Sequence, residues 1–169
     1  MGIFGRKPKQ PSAAEDRPPA DEINLRQELP TVFGITLREH LVDDEEVLAV
    51  LFVPSERILS EWYPGKALIV TSHQLITMEE GETSILDTKW GVRTRLYSYD
   101  HIAAIEMGHV LLIGRMKIIC ANPQQDFEFR LHWYDLNNFR AALKLIREKM
   151  AAVKGRSEAG SRLSFGNHN

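Results

Sequence analysis

Ser98, Asp100 and His101 stand together in the stretch "SYDH", and a serine, a carboxylate and an imidazole are the parts of a hydrolytic triad. Their spacing argues against that chemistry. In an extended strand Ser98 and Asp100 share one face while His101 points to the other, and no Gly-x-Ser-x-Gly elbow surrounds the serine. Asp100 and His101 read instead as a turn into the next strand. The six histidines (40, 73, 101, 109, 132 and 168) include no pair at i+2 or i+4 spacing and no His-Glu-x-x-His. A hairpin could bring His101 and His109 together, with His132 joining them, but no spacing in the chain requires it. The single cysteine, Cys120, lies in the apolar run "KIICA", which excludes a CxxC zinc site or an internal disulfide and suits a buried thiol. Neither a GxxxxGK[ST] nor a GxGxxG loop occurs, so a phosphate cradle is unsupported. No catalytic residue, cofactor site or metal ligand is assigned.

The stronger chemical signal is basic. In "KWGVRTRLYSYDH" (89–101), strand alternation places Arg93, Arg95 and Tyr97 on one face and Val92, Thr94 and Leu96 on the other. With Lys89 just ahead, Lys89, Arg93, Arg95 and Tyr97 form a candidate anion or lipid-headgroup surface. The competing reading is a solvated outer strand face, steadied by acidic cross-strand neighbours. Each cation near an anionic membrane is worth about 1 kcal/mol, so three would not anchor the chain stably. Arg6, Lys7 and Lys9, with Ile3 and Phe4, could add to that contact. A second candidate is aromatic: Trp62 and Tyr63 in "EWYPG" and Trp90 in "TKWGV" each stand beside a turn, placed as anchors for a protein partner. They lack the continuous basic groove that nucleic-acid stacking needs.

The 169 residues fit one domain with tails, and the 43% hydrophobic and 26% charged content is that of a soluble globular protein. A net charge of −2 removes any overall basic field for nucleic acid. Residues 1–22 carry four of the eight prolines and almost no large apolar residue after Phe4, which predicts a disordered arm. Residues 23–46 read as a packed lead-in, with a short helix over "TLREHLV" that sets Leu37 and Leu41 on one face. Residues 47–153 form the domain, and the polar, glycine-rich 154–169 read as a disordered tail. No apolar run approaches the roughly 20 residues needed to span a bilayer, no signal-peptide run is present, and Arg6 breaks a myristoylation motif at Gly2. The expected location is cytoplasmic, or cytoplasmic at a membrane surface.

Within the domain the pattern is mostly β. "VLAVLFV" (47–53) stops at Pro54, "KALIVTS" (66–72) and "QLITMEE" (74–80) suggest a hairpin near Ser72 and His73, and "VRTRLYSY" (92–99) follows. "IAAIEM" (102–107), "VLLIG" (110–114) and "MKIICA" (116–121) read as three strands, with Gly108 and Gly114 at turns or bulges. "DFEFRLHW" (126–133) turns Phe127, Phe129, Leu131 and Trp133 inward. The end is an amphipathic helix after Asp135, with Leu136, Phe139, Leu143, Ile146 and Met150 on one stripe and Gly155 placed as its stop.

This order and wording resemble bacterial pleckstrin-homology-like (PH-like) domains. The cues are "IVTSHQLI" (69–76), "YSYDHI" (97–102), and a strand, "FEFRLHW", running into a final helix; the resemblance covers roughly residues 45–153. Gln74 replaces the basic residue of the first motif and Ser98 the proline of the second, so no ligand site is carried over. The resemblance implies a mainly β fold: a seven-stranded, partly open β-barrel capped by one amphipathic C-terminal helix. It also implies adaptors that bind lipids, peptides or copies of themselves. The expected function is therefore a non-enzymatic binding module acting through protein–protein contacts, self-association included. The alternative is a peripheral module binding anionic lipid headgroups. Neither a nucleic acid, a small-molecule substrate nor a cofactor is expected.

Overall fold

The run "VLAVLFV" forms the first strand, β1 (Val47–Val53), in a computed structural model that describes residues 23–58, 61–81, 91–110 and 113–164. β-Branched and aromatic residues favour a pleated strand, and Pro54 ends it because it has no N–H to donate. β4 (Lys66–Thr71) and β5 (Gln74–Glu80) make the hairpin expected around Ser72 and His73. Between β1 and β4 the chain adds a small hairpin of β2 (Glu56–Ile58) with β3 (Glu61–Tyr63). With β6 (Val92–Ser98), the first sheet is four-stranded and antiparallel, in the order β1-β4-β5-β6.

A second antiparallel sheet holds β7 (Ile102–Val110), β8 (Ile113–Cys120) and β9 (Phe127–His132), in that order. "VLLIG" is thus not a strand of its own. It is the end of the β7–β8 hairpin, where Val110 pairs with Ile113. Gly108 and Gly114 lie inside the two strands, paired with Arg115 and His109, and the one register shift falls at Ile102/Ala104. Gly114 has a packing reason instead: a Cβ there would meet Leu136 Cδ2 at 2.5 Å. Trp133 follows β9 in a short 3-10 turn and is 51% exposed, against the inward position expected of it.

The two sheets face each other across the main core, where Leu51, Leu68, Tyr99, Met116 and Phe129 are essentially inaccessible. α2 (Leu136–Ser164) closes one end with the predicted stripe: Phe139 and Ile146 are fully buried, Leu136 and Leu143 nearly so, and Met150 packs at the margin. Phe139 sits 5.6 Å from Phe129, ring centre to ring centre. The architecture is the one the resemblance implied, four strands, then three, then a helix, in a partly open barrel. Gly155 does not stop α2. No glycine among the described residues takes a positive φ, and the helix runs on to Ser164, so residues 154–164 of the expected tail are helical.

The lead-in segment does two jobs that its sequence hid. Residues 24–27 lie along β1: Val50 N donates to Leu25 O at 2.7 Å, Gln27 N to Val50 O at 3.0 Å, and Phe52 N to Gln27 Oε1 at 2.6 Å. This closes the outer edge of the first sheet. The chain then forms α1 (Thr31–His40), starting directly after Pro30, whose ring blocks any earlier helical turn. Phe33 and Leu37, one helical turn apart, drop onto Ala67, Ile69, Ile76 and Met78, and Phe33 meets Phe52 edge-on at 5.3 Å. The first sheet is therefore buried on both faces.

Candidate interaction surfaces

A doubly buried sheet changes the meaning of the alternation on β6. Tyr97 pairs with Leu75, and Arg95 with Thr77, both on the face turned toward the main core. Tyr97 is 3% exposed; its hydroxyl donates to Gln125 O at 2.9 Å, and burial pushes the phenol pKa up. Arg95 is half-buried. Its Nη1 donates to Asp126 O at 3.3 Å and its guanidinium stacks 5.2 Å from the centre of Phe127. Arg93 is exposed, and Lys89 lies outside the described residues. The expectation of a wet face shared by Arg93, Arg95 and Tyr97 is thus corrected. The opposite face, with Val92 and Thr94, turns toward α1, and only Leu96 on it is largely exposed.

Arg95 is matched by Lys66, whose Nζ donates to Glu128 O and pairs with Glu79 Oε1, both at 2.9 Å. Two cations of the first sheet thereby take the carbonyl of Asp126, just before β9, and that of Glu128 within it, β9 being the terminal strand of the second sheet. Asp126, at the start of that strand, accepts from Lys117 at 2.9 Å and from the Cys120 N–H at 3.0 Å; the lysine's hydrogen bond, then the backbone one, lowers its carboxyl pKa. These groups join the sheets.

The β2–β3 hairpin lies over the outer surface of the second sheet. Glu56 Oε2 is 2.9 Å from His132 Nε2, and the guanidinium of Arg130 stacks 4.3 Å over the ring of Tyr63. Trp62 on the same hairpin is 63% exposed and borders an apolar groove of about 470 Å³ with Pro30, Val32, Phe33 and Val92. Trp62 and Tyr63 are therefore held apart in role, one solvent-facing and one stacked; Trp90 lies outside the described residues.

Two surfaces had no clear signal in the sequence. The first is an edge. β1 is covered by residues 24–27, β9 is met by Lys66 and Arg95, and the edge of β6 carries Arg93 and Arg95, but the outer edge of β7, which no strand pairs with among the described residues, has no such cover. Its exposed Ala103, Ala104 and Gly108 offer little steric cover. The second is a groove of about 790 Å³ over Gly108, bounded by Val110, Ile113, Arg115, Glu128 and Arg130. Only strand pairing reveals it, because it places Arg115 opposite both Gly108 and Arg130.

The "SYDH" stretch is a surface turn. His101 N donates to Ser98 O at 3.0 Å, Asp100 and His101 are 3.9 Å apart, and a hydrogen bond from Ser98 lowers the Asp100 carboxyl pKa. Tyr99 between them points inward, its hydroxyl donating to Thr71 O at 2.7 Å. His101 and His109 stand at opposite ends of β7, and His132 is engaged by Glu56. Among the described residues no three His, Cys, Asp or Glu side chains cluster for a metal, and no helix is long and apolar enough to cross a membrane. Cys120 is buried and free, and burial raises its thiol pKa. Gln74 uses its amide to hold Glu45 at 3.1 Å, and Glu45 also accepts from the Thr71 hydroxyl.

No protein-family model matches the chain, and no curated protein matches it. Among solved structures it is similar to a DUF1696 family protein with a pleckstrin-homology domain from Shewanella loihica, at 13% identity and a TM-score of 0.44, over 68% of this chain and 92% of that one. It is also similar to a pleckstrin homology domain from Shewanella amazonensis, at 15% identity and a TM-score of 0.46, over 70% of this chain and 96% of that one. The chain's own strand order and final helix make the fold PH-like.

Proposed function

We propose that this chain is a non-enzymatic adaptor module that works through protein–protein contact, and that it self-associates by strand addition along β7. The observation that carries the reading is the asymmetry of the edges. An open strand edge is a template for another chain, and natural sheets blunt theirs with lysine, proline or a covering segment. Here the β1 edge is covered by the chain itself and the β6 edge carries Arg93 and Arg95, while the nine residues of β7 carry only Glu106 as a full charge and a bulge only at their start. Antiparallel pairing of two copies of β7 would be two-fold symmetric, the commonest closed arrangement. In the cytoplasm the buried Cys120 stays a thiol and the contact needs no covalent link.

The alternative, an anionic lipid surface on β6, has less support there, because Arg95 and Tyr97 are committed to the seam between the sheets. Sedimentation velocity over a range of concentrations tests the proposal, with an Ala103→Lys, Ala104→Lys variant beside the wild type. Both positions are exposed, so the variant should fold. Concentration-dependent dimers lost in the variant, with β7 amides that exchange more slowly in the dimer, are the expected result. A wild type that stays monomeric at every concentration, or dimers indifferent to the two lysines, would sink it.

A further inference from the structure

The chain has a net charge of −2, yet α2 is strongly basic. Between Leu136 and Arg156, Arg140, Lys144, Arg147, Lys149, Lys154 and Arg156 stand against a single acid, Glu148. All but the half-buried Lys149 are exposed, and among the described residues none of these cations pairs with a carboxylate. A cation in the last turn of a helix offsets its dipole. Because α2 runs on to Ser164, every one of these cations stands ahead of that turn. Like charges three and four residues apart destabilise a helix, and Arg140, Lys144 and Arg147 are spaced that way. Such a face calls for an anion.

The chain supplies one where α2 begins. Asn24 N donates to Asn138 Oδ1 at 2.8 Å, so the residues ahead of Asn24 leave the fold at the first turn of α2. Residues 15–22 among them read "EDRPPADE", four acids and one arginine. Lys149 and Arg156 follow Asn138 at about three and five whole helical turns, so both stand on the side of α2 where that segment is tied. Arg156 is about 27 Å along the axis from Asn138, and the stretch from Asp16 to Asn24 spans at most about 26–29 Å. Lys149, about 16 Å along, falls between the reach of Asp21 and that of Asp16. A short tether sets an effective concentration in the millimolar range, which an anion from another molecule has to match.

We infer that residues 15–22 dock on the basic face of α2 in the same chain, with Asp21 and Glu22 serving Lys149 and with Glu15 and Asp16 serving Arg156. The segment reserves that face, and another polyanion binds there only by displacing it. The contact involves α2 rather than the edge of β7, and it stands independently of self-association.

Carbodiimide coupling of the full chain tests it, because the reagent joins a carboxylate to an amine only where the two touch. In about 10 mM salt, where charges act over about 30 Å, peptide mapping should find amides from residues 15–22 to Lys149 and Lys154 within one chain. They should vanish in about 1 M salt, where that length is about 3 Å. Arg156 forms no amide itself, so Arg156→Gln should lower the yield at Lys149 by charge alone, about twofold to fivefold. Arg93→Gln should leave the yield unchanged. Melting of each variant confirms that it is folded. Absence of amides from residues 15–22 to α2, amides that reach Lys66 or Lys117 instead, or a yield indifferent to both salt and Arg156→Gln overturns the proposal. Amides found only between differently isotope-labelled chains overturn it too, and make the occupant the same segment of a second copy.

Discussion

Arg95 donates to the backbone carbonyl of Asp126 at 3.3 Å, so a residue that alternation alone would send to solvent bridges the two sheets. Lys66 does the same at the carbonyl of Glu128. Among the described residues no further strand pairs with β9 to take these part-buried acceptors, and leaving such a carbonyl unpaired is costly. Side-chain cations take the place of the missing ladder. The barrel is open in its backbone and partly closed by side chains.

A series on β6 separates this role from ligand binding. Arg93→Gln should leave stability within about 0.5 kcal/mol, as expected of an exposed position. Arg95→Gln, which removes a charged hydrogen bond and the contact with Phe127, should cost about 1–3 kcal/mol. Tyr97→Phe should cost about 1 kcal/mol through its hydrogen bond to Gln125. Urea melts read all three. Equal effects at positions 93 and 95 would mean that Arg95 does not hold the seam.

The two faces of the first sheet explain what was legible in the sequence. The inward phenylalanines of β9 and the stripe of α2 were readable because each has one wet side and one dry side, and the β4–β5 hairpin, buried on both faces, was readable as two apolar runs around a turn. β6 was misread because both faces of its sheet are covered. Period-two alternation then names two faces without saying which is the core. The cover, α1, has only two buried side chains, Phe33 and Leu37, one turn apart in a segment whose start is masked by Pro30. The groove over Gly108 needs pairing across three strands, and no local window contains it.

The weight carried by α1 is testable at Phe33, which is 2% exposed. Phe33→Ala should cost about 3–5 kcal/mol, comparable to Phe139→Ala in α2. The two side chains belong to separate clusters on opposite faces of the first sheet, so their costs should add in the double variant within about 0.5 kcal/mol. A thermal melt of Phe33→Ala with no loss would mean that α1 is an ornament on the sheet and that Ile69, Ile76 and Met78 are stable without it.

Tyr99 sets the alkaline limit of the fold. Its side chain is 1% exposed, and burial raises its pKa well above the ordinary phenol value, with Glu45 adding to the rise and the hydrogen bond to Thr71 opposing it. Tyr97 is shifted in the same direction by its own burial. In the unfolded chain both phenols lose their protons near pH 10, as free tyrosine does. The folded state keeps them protonated to higher pH, so it binds more protons than the unfolded state above that point. The stability tied to these protons is therefore fully present below about pH 10 and is lost as pH rises through the folded-state values. Tyr99→Phe should cost about 1 kcal/mol at neutral pH, where the bond to Thr71 is lost. It should also make the decline above pH 10 shallower than in the wild type, because one of the two linked protons is gone. Urea melts across the alkaline range measure both. An alkaline limb unchanged by Tyr99→Phe would place the titrating group elsewhere in the chain.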